Sequence, residues 1–328
     1  MRFAIPLCWL GLLYVSMSQS AAASSYKEAG EALLEGETNT AKSLIQNPGC
    51  AASPKCNELA VLFHIYTDDS DTGIERLSAY EVKYADEART HAFAAEAWRS
   101  IAHQVNIFRK RTYYNKALQA KFRAGAADSA LPRYKVLRAS AFGQEGDIAA
   151  QRKLTADIVV NDDKWGRIAQ LNLAQNTDDF EWGASVAAEA IASYPDDFFI
   201  NERVAQFYWT LGNIDKAQQH FLVACKSAPE VDWFDRKKWL DSCFLVAQFA
   251  DQDGMNREAA VAALRFVLAE HQLLTSDNLE YAKLLLKIAG ENERAPANAF
   301  LERVIRQSDD ETLVDAAIKT LKTYDLSH

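Results

Sequence analysis

Residues 201–229 carry two short apolar stripes with a glycine between them. Within each stripe the apolar residues recur every three or four positions, which places them on one face of a helix. The residues of the two stripes are Val204, Ala205, Tyr208, Ala217, Phe221 and Ala224. Gly212 permits a tight turn between the stripes, and Pro229 ends the second one. The pattern predicts two antiparallel helices that approach closely at their alanines, while Tyr208 and Phe221 fill the space between them.

Four residues of this hairpin have counterparts 34 positions earlier in the chain, and 34 residues is the period of one class of helical repeats. The pairs are Phe180 and Ile214, Gly183 and Ala217, Ala190 and Ala224, and Pro195 and Pro229. In this spacing and in these residue types the chain resembles the tetratricopeptide repeat (TPR) family. The resemblance implies an all-α fold, a right-handed superhelical array of antiparallel helix pairs.

Weaker copies extend the resemblance over residues 134–307. Three further segments combine a turn glycine with an apolar helix: residues 142–163, 254–271 and 281–307. In the first of them Gln151 stands where a small residue is expected. Residues 231–242 add length between two repeats, which predicts either an extended helix there or an extra turn before it. Residues 308–328 predict a single amphipathic helix of the kind that caps an open array.

The N-terminal third of the predicted mature chain, residues 24–133, is less regular. Residues 57–88 predict two helices around an Asp-rich turn. Residues 90–126 predict a long helical stretch that breaks near Thr112. No Pro-rich, Ser-rich or low-complexity linker divides the chain after its leader. One continuous superhelix is therefore expected, with an irregular helical region before the repeats.

The first 23 residues have the pattern of an export signal. Arg2 precedes an apolar run at residues 3–15, and small residues follow this run, so that cleavage is expected after Ala23. The alternative is a retained membrane anchor. No later segment is long and apolar enough to span a membrane, so a periplasmic or secreted protein without an integral span is expected.

Removal of the leader leaves four cysteines, an even number that permits three pairings in an oxidising compartment. Cys50 and Cys56 frame a short loop, whereas Cys225 and Cys243 lie at the ends of predicted neighbouring helices. The favoured pairing is Cys50 with Cys56 and Cys225 with Cys243. Four free, buried thiols are the alternative.

Catalytic and metal-binding motifs are scarce in the chain. Its six histidines are scattered, and its cysteines lack the two-residue spacing of zinc sites, so no metal or other cofactor is expected. Residues 68–73 crowd three aspartates together but lack the frame of a calcium loop, and they predict a turn that caps the next helix. The chain is therefore predicted not to be an enzyme. A cryptic site among His91, His103 and nearby acids is the enzymatic alternative.

One segment departs from the acidic balance of the chain, whose formal net charge is −9. Residues 105–140 contain nine lysines and arginines against one aspartate. The candidate basic face consists of Arg109, Lys110, Arg111, Lys116 and Arg123. It predicts docking of an anionic polymer, an acidic protein segment or lipid headgroups. Nucleic acid is not expected as a partner of an exported, acidic chain. In the alternative interpretation, these charges pair with acidic neighbours in the array.

The TPR resemblance also implies a concave groove that is lined by the first helix of each pair. On the best-matching unit, the implied partner-facing residues are Phe199, Glu202, Gln206 and Trp209. Trp209 has the chemistry of an interface anchor. In the alternative interpretation, it packs against Trp233 or Trp239 of the following helix.

These features together predict an exported, periplasmic scaffold that binds another envelope protein or peptide through the groove. Fold analogy connects such arrays with envelope, pilus, secretion or polysaccharide-export assembly. The alternative function is a glycan- or polyanion-binding accessory protein that uses the basic face at residues 109–138.

Overall fold

The computed structural model describes residues 26–33, 37–67, 69–227, 233–253, 256–270, 274–308 and 310–325. Within these ranges the regular elements are α-helices and one 3-10 turn, with no strand, and the predicted all-α array of TPR-like helix pairs is confirmed. None of the described helices combines the length and the apolarity needed to cross a membrane. The predicted export leader lies outside the described residues, as do Pro229 and the turn residue Gly254.

The N-terminal region encloses a hydrophobic core of its own, which includes Leu59, Leu77, Trp98 and Ile101. Its helices are α1 (residues 26–33), α2 (Thr38–Gln46), α3 (Pro48–Ala51), α4 (Pro54–Tyr66), α5 (Ser70–Lys83), α6 (Ala88–Gln104) and α7 (Ile107–Ala127). Helices α6 and α7 form a long hairpin in which the Trp98 ring stacks on Tyr113, with 5.5 Å between the ring centroids.

The repeat region follows with a second core. Its helices are α8 (Pro132–Gln144), α9 (Ile148–Asn161), α10 (Asp163–Asn176), α11 (Phe180–Ser193), α12 (Phe198–Thr210), α13 (Ile214–Lys226), α14 (Trp233–Asp253), α15 (Arg257–Glu270), α16 (Ser276–Ile288), α17 (Ala295–Gln307) and α18 (Glu311–Asp325). A 3-10 turn at Glu291–Glu293 joins α16 to α17. With 21 residues, α14 is the extended helix, the first of the two alternatives that the sequence predicted. Helix α18 packs against α16 and α17.

The second helices of three successive pairs begin with the same capping arrangement. Side-chain oxygens accept a hydrogen bond from the backbone N–H three residues ahead, at 3.0, 3.3 and 3.2 Å for Asp147, Asp179 and Asn213. Such caps satisfy donors that would otherwise lack a partner at a helix N-terminus. The residue before each cap has a positive φ, and these residues are Gly146, Asp178 and Gly212. The middle turn therefore uses an aspartate where its neighbours use glycine, because Asp tolerates this backbone region better than most residues.

Small residues set the distance between neighbouring helices, as the repeat pattern predicted. Ala205, Ala217 and Ala224 are fully buried in the same core as Phe221. Gly183 lies so close to Phe207 that a Cβ atom on this glycine would be 2.5 Å from the ring. A larger residue than glycine would therefore clash with the Phe207 ring at position 183.

The long helical stretch in the N-terminal region breaks at Asn106, and the predicted break near Thr112 is wrong. Asn106 Oδ1 accepts hydrogen bonds from the backbone N–H groups of Phe108 and Arg109, at 3.1 and 3.2 Å. This cap starts α7. Thr112 has no comparable stop signal, and it continues the helix.

Both favoured disulfides are present. Cys50–Cys56 joins α3 to α4, and Cys225–Cys243 joins α13 to α14. The alternative of four free thiols is therefore wrong for this structure. Each bond connects helices that are consecutive in the chain, so neither bond links the N-terminal region to the repeats.

Candidate functional site

The inner side of the array holds a cavity of about 360 Å³. Its wall is built by side chains from α4, α6, α7, α8, α10, α12 and α14, and none of the described residues of α9, α11 or α13 lines it. The array curves far enough for α6 to face α12 and α14, since Arg99, Glu202 and Lys238 line the same cavity. The first helices of successive pairs, together with Lys121 of α7, therefore share one inner surface.

Three of the four predicted groove residues, Phe199, Glu202 and Gln206, line this cavity. The ammonium group of Lys238 on α14 lies 3.1 Å from the Glu202 carboxylate. Gln206 donates a hydrogen bond to the same carboxylate. These contacts connect α12 to α14 and hold the two polar side chains in fixed positions. Their role in binding a partner stays a prediction.

Trp209, the fourth predicted groove residue, is not among the residues that line the cavity. Its ring packs against Phe249 and Phe221, with 5.5 and 6.4 Å between the ring centroids. The side chain is 46% exposed. The side chain of Trp233, one of its two predicted packing partners, lies outside the described residues. Trp209 thus contacts the cores of α13 and α14 and keeps one open face.

Two aromatic rings in the wall are covered by cations. Trp165 and Phe199 lie with ring centroids 5.3 Å apart. The Arg133 guanidinium is 5.9 and 5.2 Å from these two centroids, and the Lys164 ammonium is 5.4 and 5.2 Å from them. Lys164 also pairs with Asp197 at 2.8 Å. The rings therefore order the two cations through cation–π contacts.

Positive side chains outnumber carboxylates in the wall of the cavity, although the chain as a whole is acidic. The lining cations are Arg89, Arg99, Lys121, Arg133, Arg203 and Lys238, and the lining carboxylates are Glu58, Glu96 and Glu202. Each of these carboxylates forms an ion pair with a lining cation: Arg89–Glu58 at 2.6 Å, Arg99–Glu96 at 3.3 Å and Lys238–Glu202 at 3.1 Å. The balance of charge in the cavity is thus positive.

Arg203 is held on α12 by neutral partners. Its guanidinium donates hydrogen bonds to the side-chain oxygens of Gln175 and Gln206, the latter at 3.2 Å. The residue is 8% exposed, and burial lowers the pKa of its guanidinium to about 10. The Nε atom is buried and has no hydrogen-bond partner among the described residues. Arg203 is therefore positively charged at neutral pH, and its buried Nε donor is unused among the described residues.

Lys121 reaches the same cavity from α7 and lies among other cations. Its ammonium group donates a hydrogen bond to the Gln144 side chain at 3.3 Å. Burial lowers the pKa of Lys121, Glu96 opposes this effect, and the positive charges of Arg99 and Lys238 add to it. Sequence reasoning singled out neither Lys121 nor Arg203 as a site residue.

A second cavity of about 670 Å³ lies where the N-terminal region faces the later repeats. Leu62, Ile65 and His103 line it from α4 and α6, and Asp241 and Tyr281 line it from α14 and α16. Its wall mixes apolar and polar groups without the excess of positive charge seen in the first cavity.

Three of the five residues of the predicted basic face have separate partners within the chain. Arg109 pairs with Asp71 at 3.3 Å and Arg123 pairs with Glu81 at 2.5 Å. Lys116 lies over the Trp98 ring, 4.1 Å from its centroid. The two remaining members, Lys110 and Arg111, are half-buried and exposed, respectively. These contacts favour the interpretation in which many charges of this segment pair within the array.

The two histidines of the enzymatic alternative do not converge on one site. His91 is buried, and its Nε2 atom lies 2.7 Å from the Ala85 carbonyl oxygen. His103 lines the second cavity and contacts the Tyr114 hydroxyl at 3.4 Å. In the described part of the chain, no three potential ligand side chains gather in a way that could hold a metal ion.

No protein-family model matches the chain, and no curated protein matches it. Solved structures with similar folds include a tetratricopeptide repeat protein from Parabacteroides merdae, with 10% identity, a TM-score of 0.42 and coverage of 81% of this chain and 98% of that one. The human IFIT1 dimer with PPP-AAAA has 13% identity, a TM-score of 0.44 and coverage of 90% and 68%. The P58(IPK) TPR domain has 12% identity, a TM-score of 0.25 and coverage of 94% and 99%. Sequence identities and TM-scores this low give no information about ligands or partners.

Proposed function

We propose that this chain is an exported scaffold that binds another protein or peptide of the cell envelope through the inner face of its array. The observation that carries the proposal is the single inner surface formed by the first helices of successive pairs. Phe199, Glu202 and Gln206 lie on this surface together with hydrogen-bonding side chains such as Asn172 and Ser140. A concave wall that combines aromatic, amide and charged groups is suited to a segment of polypeptide.

The mechanism is display of a preformed surface. The three carboxylates in the wall are fixed by ion pairs, and Arg133 and Lys164 are fixed over aromatic rings. Side chains that are ordered before binding lose little conformational entropy when a partner arrives. The scaffold thus holds its partner without changing it chemically.

Export and a periplasmic location belong to the same proposal. The leader pattern at residues 1–23 supports export, and two disulfides in the folded chain are consistent with an oxidising compartment. By analogy with other arrays of this fold, we propose a role in assembling the envelope, pili, a secretion system or a polysaccharide exporter.

In-cell cross-linking of the tagged chain, followed by identification of the captured protein, tests this function. The inner-face variant combines Phe199→Ala with Gln206→Ala. A basic-face variant replaces Arg109, Lys110 and Arg111 with Gln, and Lys153→Gln, at an exposed position of α9, is the control. We expect the inner-face variant to lose one specific envelope protein, while the control and the basic-face variant retain it. Material lost only from the basic-face variant would instead support the alternative polyanion-binding function.

A further inference from the structure

The turn between α6 and α7 leads into a helix start that exposes two large apolar side chains. Phe108 is 92% exposed, and Ile107 beside it is 78% exposed. Both lie in the first turn of α7, directly after the capping residue Asn106. Neither of them lines the two cavities described above. Because single exposed apolar residues are common on protein surfaces, this pair alone does not identify a site.

The α7 tip, residues 107–111, also carries positive charge that the rest of the described chain does not neutralise. Lys110 and Arg111 form no ion pair with any described residue. Arg109, in contrast, pairs with Asp71 at 3.3 Å and adds no net charge to the tip. The formal net charge of the chain is −9, so two such cations beside two exposed apolar side chains set the tip apart from the rest of the acidic surface.

The apolar and basic groups of the α7 tip share the outer side of the helix. Tyr113, Ala117 and Ala120 are buried, and they mark the side of α7 that packs on the N-terminal core. With about 3.6 residues per turn, Phe108 and Arg111 lie on the opposite side. The first turn of α7 therefore presents an aromatic ring and a guanidinium group together to the solvent.

We propose that the α7 tip docks the protein on the surface of a lipid bilayer that contains anionic lipids. Phe108 and Ile107 enter the boundary between headgroups and acyl chains, where apolar side chains leave water. Lys110 and Arg111 lie among the anionic headgroups, which attract each cation. Tyr114, 39% exposed and farther along α7, has the amphipathic ring that favours this interface. The inference goes beyond the proposed function, because it concerns the outer side of the chain and not its inner face.

The combination of groups at the α7 tip favours lipid over a soluble anionic partner. A soluble polyanion would contact Lys110 and Arg111 but would leave Phe108 in water. A protein partner that receives an aromatic anchor needs a matching pocket and a buried apolar centre around it. A bilayer receives apolar and basic side chains together without a matching shape. A contact of this size is weak and reversible, because stable anchoring takes stronger signals.

Flotation of the purified chain with lipid vesicles tests the apolar part of the proposal. One vesicle preparation is phosphatidylcholine, and the other contains equal parts of phosphatidylcholine and phosphatidylglycerol. All proteins share the N-terminus that cells produce, so differences arise at the substituted positions. We expect the combined Ile107→Ala and Phe108→Ala variant to bind the anionic vesicles about tenfold more weakly than the parent chain. Val160→Ala, which alters a side chain that is 85% exposed on α9, should bind as the parent does.

The charged part of the proposal has its own variant and control. The combined Lys110→Gln and Arg111→Gln variant should bind the anionic vesicles about tenfold more weakly, because each cation near an anionic surface contributes to binding. Lys153→Gln, at an exposed position of α9, should change binding by less than about twofold, since its charge lies away from the α7 tip. The parent chain should bind phosphatidylcholine vesicles only weakly, and added salt should weaken its binding to the anionic vesicles.

Three results would overturn the proposal. The first is failure of the parent chain to bind anionic vesicles, or equal binding by the parent and the apolar variant. The second is binding of polyglutamate that depends on Lys110 and Arg111 but not on Phe108, without vesicle binding, which assigns the tip to a soluble polyanion. The third is self-association, measured by analytical ultracentrifugation, that is lost in the apolar variant without any effect on vesicle binding.

Two further measurements keep the outcome clear. Circular dichroism checks that the variants fold, and Phe108→Ala alone decides the result if the double apolar variant does not. A protein captured in cells through the inner face, by a chain that does not bind vesicles, would leave the scaffold function standing and remove only this inference.

Discussion

The N-terminal region and the repeat region are both helical, but different contacts stabilise them. Their buried residues form two separate hydrophobic clusters, one within residues 29–120 and the other within residues 136–317. Both cores contain many alanines, but in the repeats small residues recur at positions related by the 34-residue period, whereas the N-terminal core lacks that period and surrounds the buried carboxylate of Glu58. This carboxylate accepts hydrogen bonds from Tyr80 at 2.8 Å and from Arg89 at 2.9 and 2.6 Å. Periodic small residues stabilise a repeating array, while particular long-range contacts stabilise the irregular part.

The largest expected effect on stability follows from removing the aromatic ring of Phe207, which packs between successive repeats. Phe207 is fully buried against Gly183, so Phe207→Ala should decrease the free energy of unfolding by about 3–5 kcal/mol. Urea denaturation followed by circular dichroism measures this change. Phe108→Ala in the N-terminal region is the control, because Phe108 is 92% exposed and its removal should change stability by less than about 0.5 kcal/mol. Equal effects of the two substitutions would contradict the packing of this core.

The two disulfides should stabilise their regions unequally. The Cys225–Cys243 bond closes a loop with a sequence separation of 18, whereas the Cys50–Cys56 bond has a separation of 6. A longer closed loop restricts the unfolded chain more, so losing the first bond should cost about 3 kcal/mol and losing the second about 2 kcal/mol. Paired Cys→Ser variants, unfolded in urea, give both values. A larger cost for the Cys50–Cys56 bond would show that contacts in the folded state outweigh loop entropy.

Adding one methyl group to a helical glycine should have opposite effects in the two regions. At Gly183 the new Cβ would clash with Phe207, so Gly183→Ala should destabilise the repeats by about 1–3 kcal/mol. At Gly73 in α5 the nearest atom to a new Cβ is 3.6 Å away, which is ordinary contact. Because alanine favours the helix, Gly73→Ala should be neutral or stabilising by up to about 1 kcal/mol. Thermal melts of both variants check the sign of each change, and destabilisation by Gly73→Ala would contradict the space seen around it.

The smallest expected effect is a decrease in stability at mildly acidic pH. Burial and then Lys216 lower the pKa of His220 in the repeats, and burial is also the main cause that lowers the pKa of His64 in the N-terminal region. The folded chain therefore binds fewer protons than the unfolded chain, and stability should decrease as pH falls below about 6.5. Melting temperatures at about pH 7.5 and 5.5 measure this difference.

His220→Gln should reduce the pH dependence of stability more than His64→Gln, because a hydrogen bond with Asp69 partly opposes the lowering of the His64 pKa. Identical pH profiles in both variants and the parent chain would rule out these two histidines.

Much of the repeat architecture could be predicted from the sequence because its signals are local. Helix spacing, turn glycines and capping side chains each act within a few residues. Local rules also missed compensations between helices. Gln151 fills a position that the pattern reserves for a small residue, and it fits because Gly143 on the neighbouring helix leaves space and Asn176 donates a hydrogen bond to it at 3.1 Å.

The inner cavity could be predicted only in part. Phe199, Glu202 and Gln206 followed from the position of α12 in its pair. Arg203 lies three residues after Ile200 and four before Phe207, both fully buried, so the helical period gave a signal of its burial that sequence reasoning did not use. The arrival of Lys121 from α7 depends on the curvature of the whole array, which sums small angles over many helix pairs. No local pattern encodes that sum.

The Cys225–Cys243 bond has a consequence for chain cleavage. It joins α13 to α14 on either side of the connecting segment. A protease that cuts a peptide bond between these cysteines would divide the polypeptide into two pieces that remain covalently attached. The nicked molecule would migrate as one band without a reducing agent and as two bands with it. Repeats on both sides of the cut would thus stay tethered, whatever happened to the backbone between them.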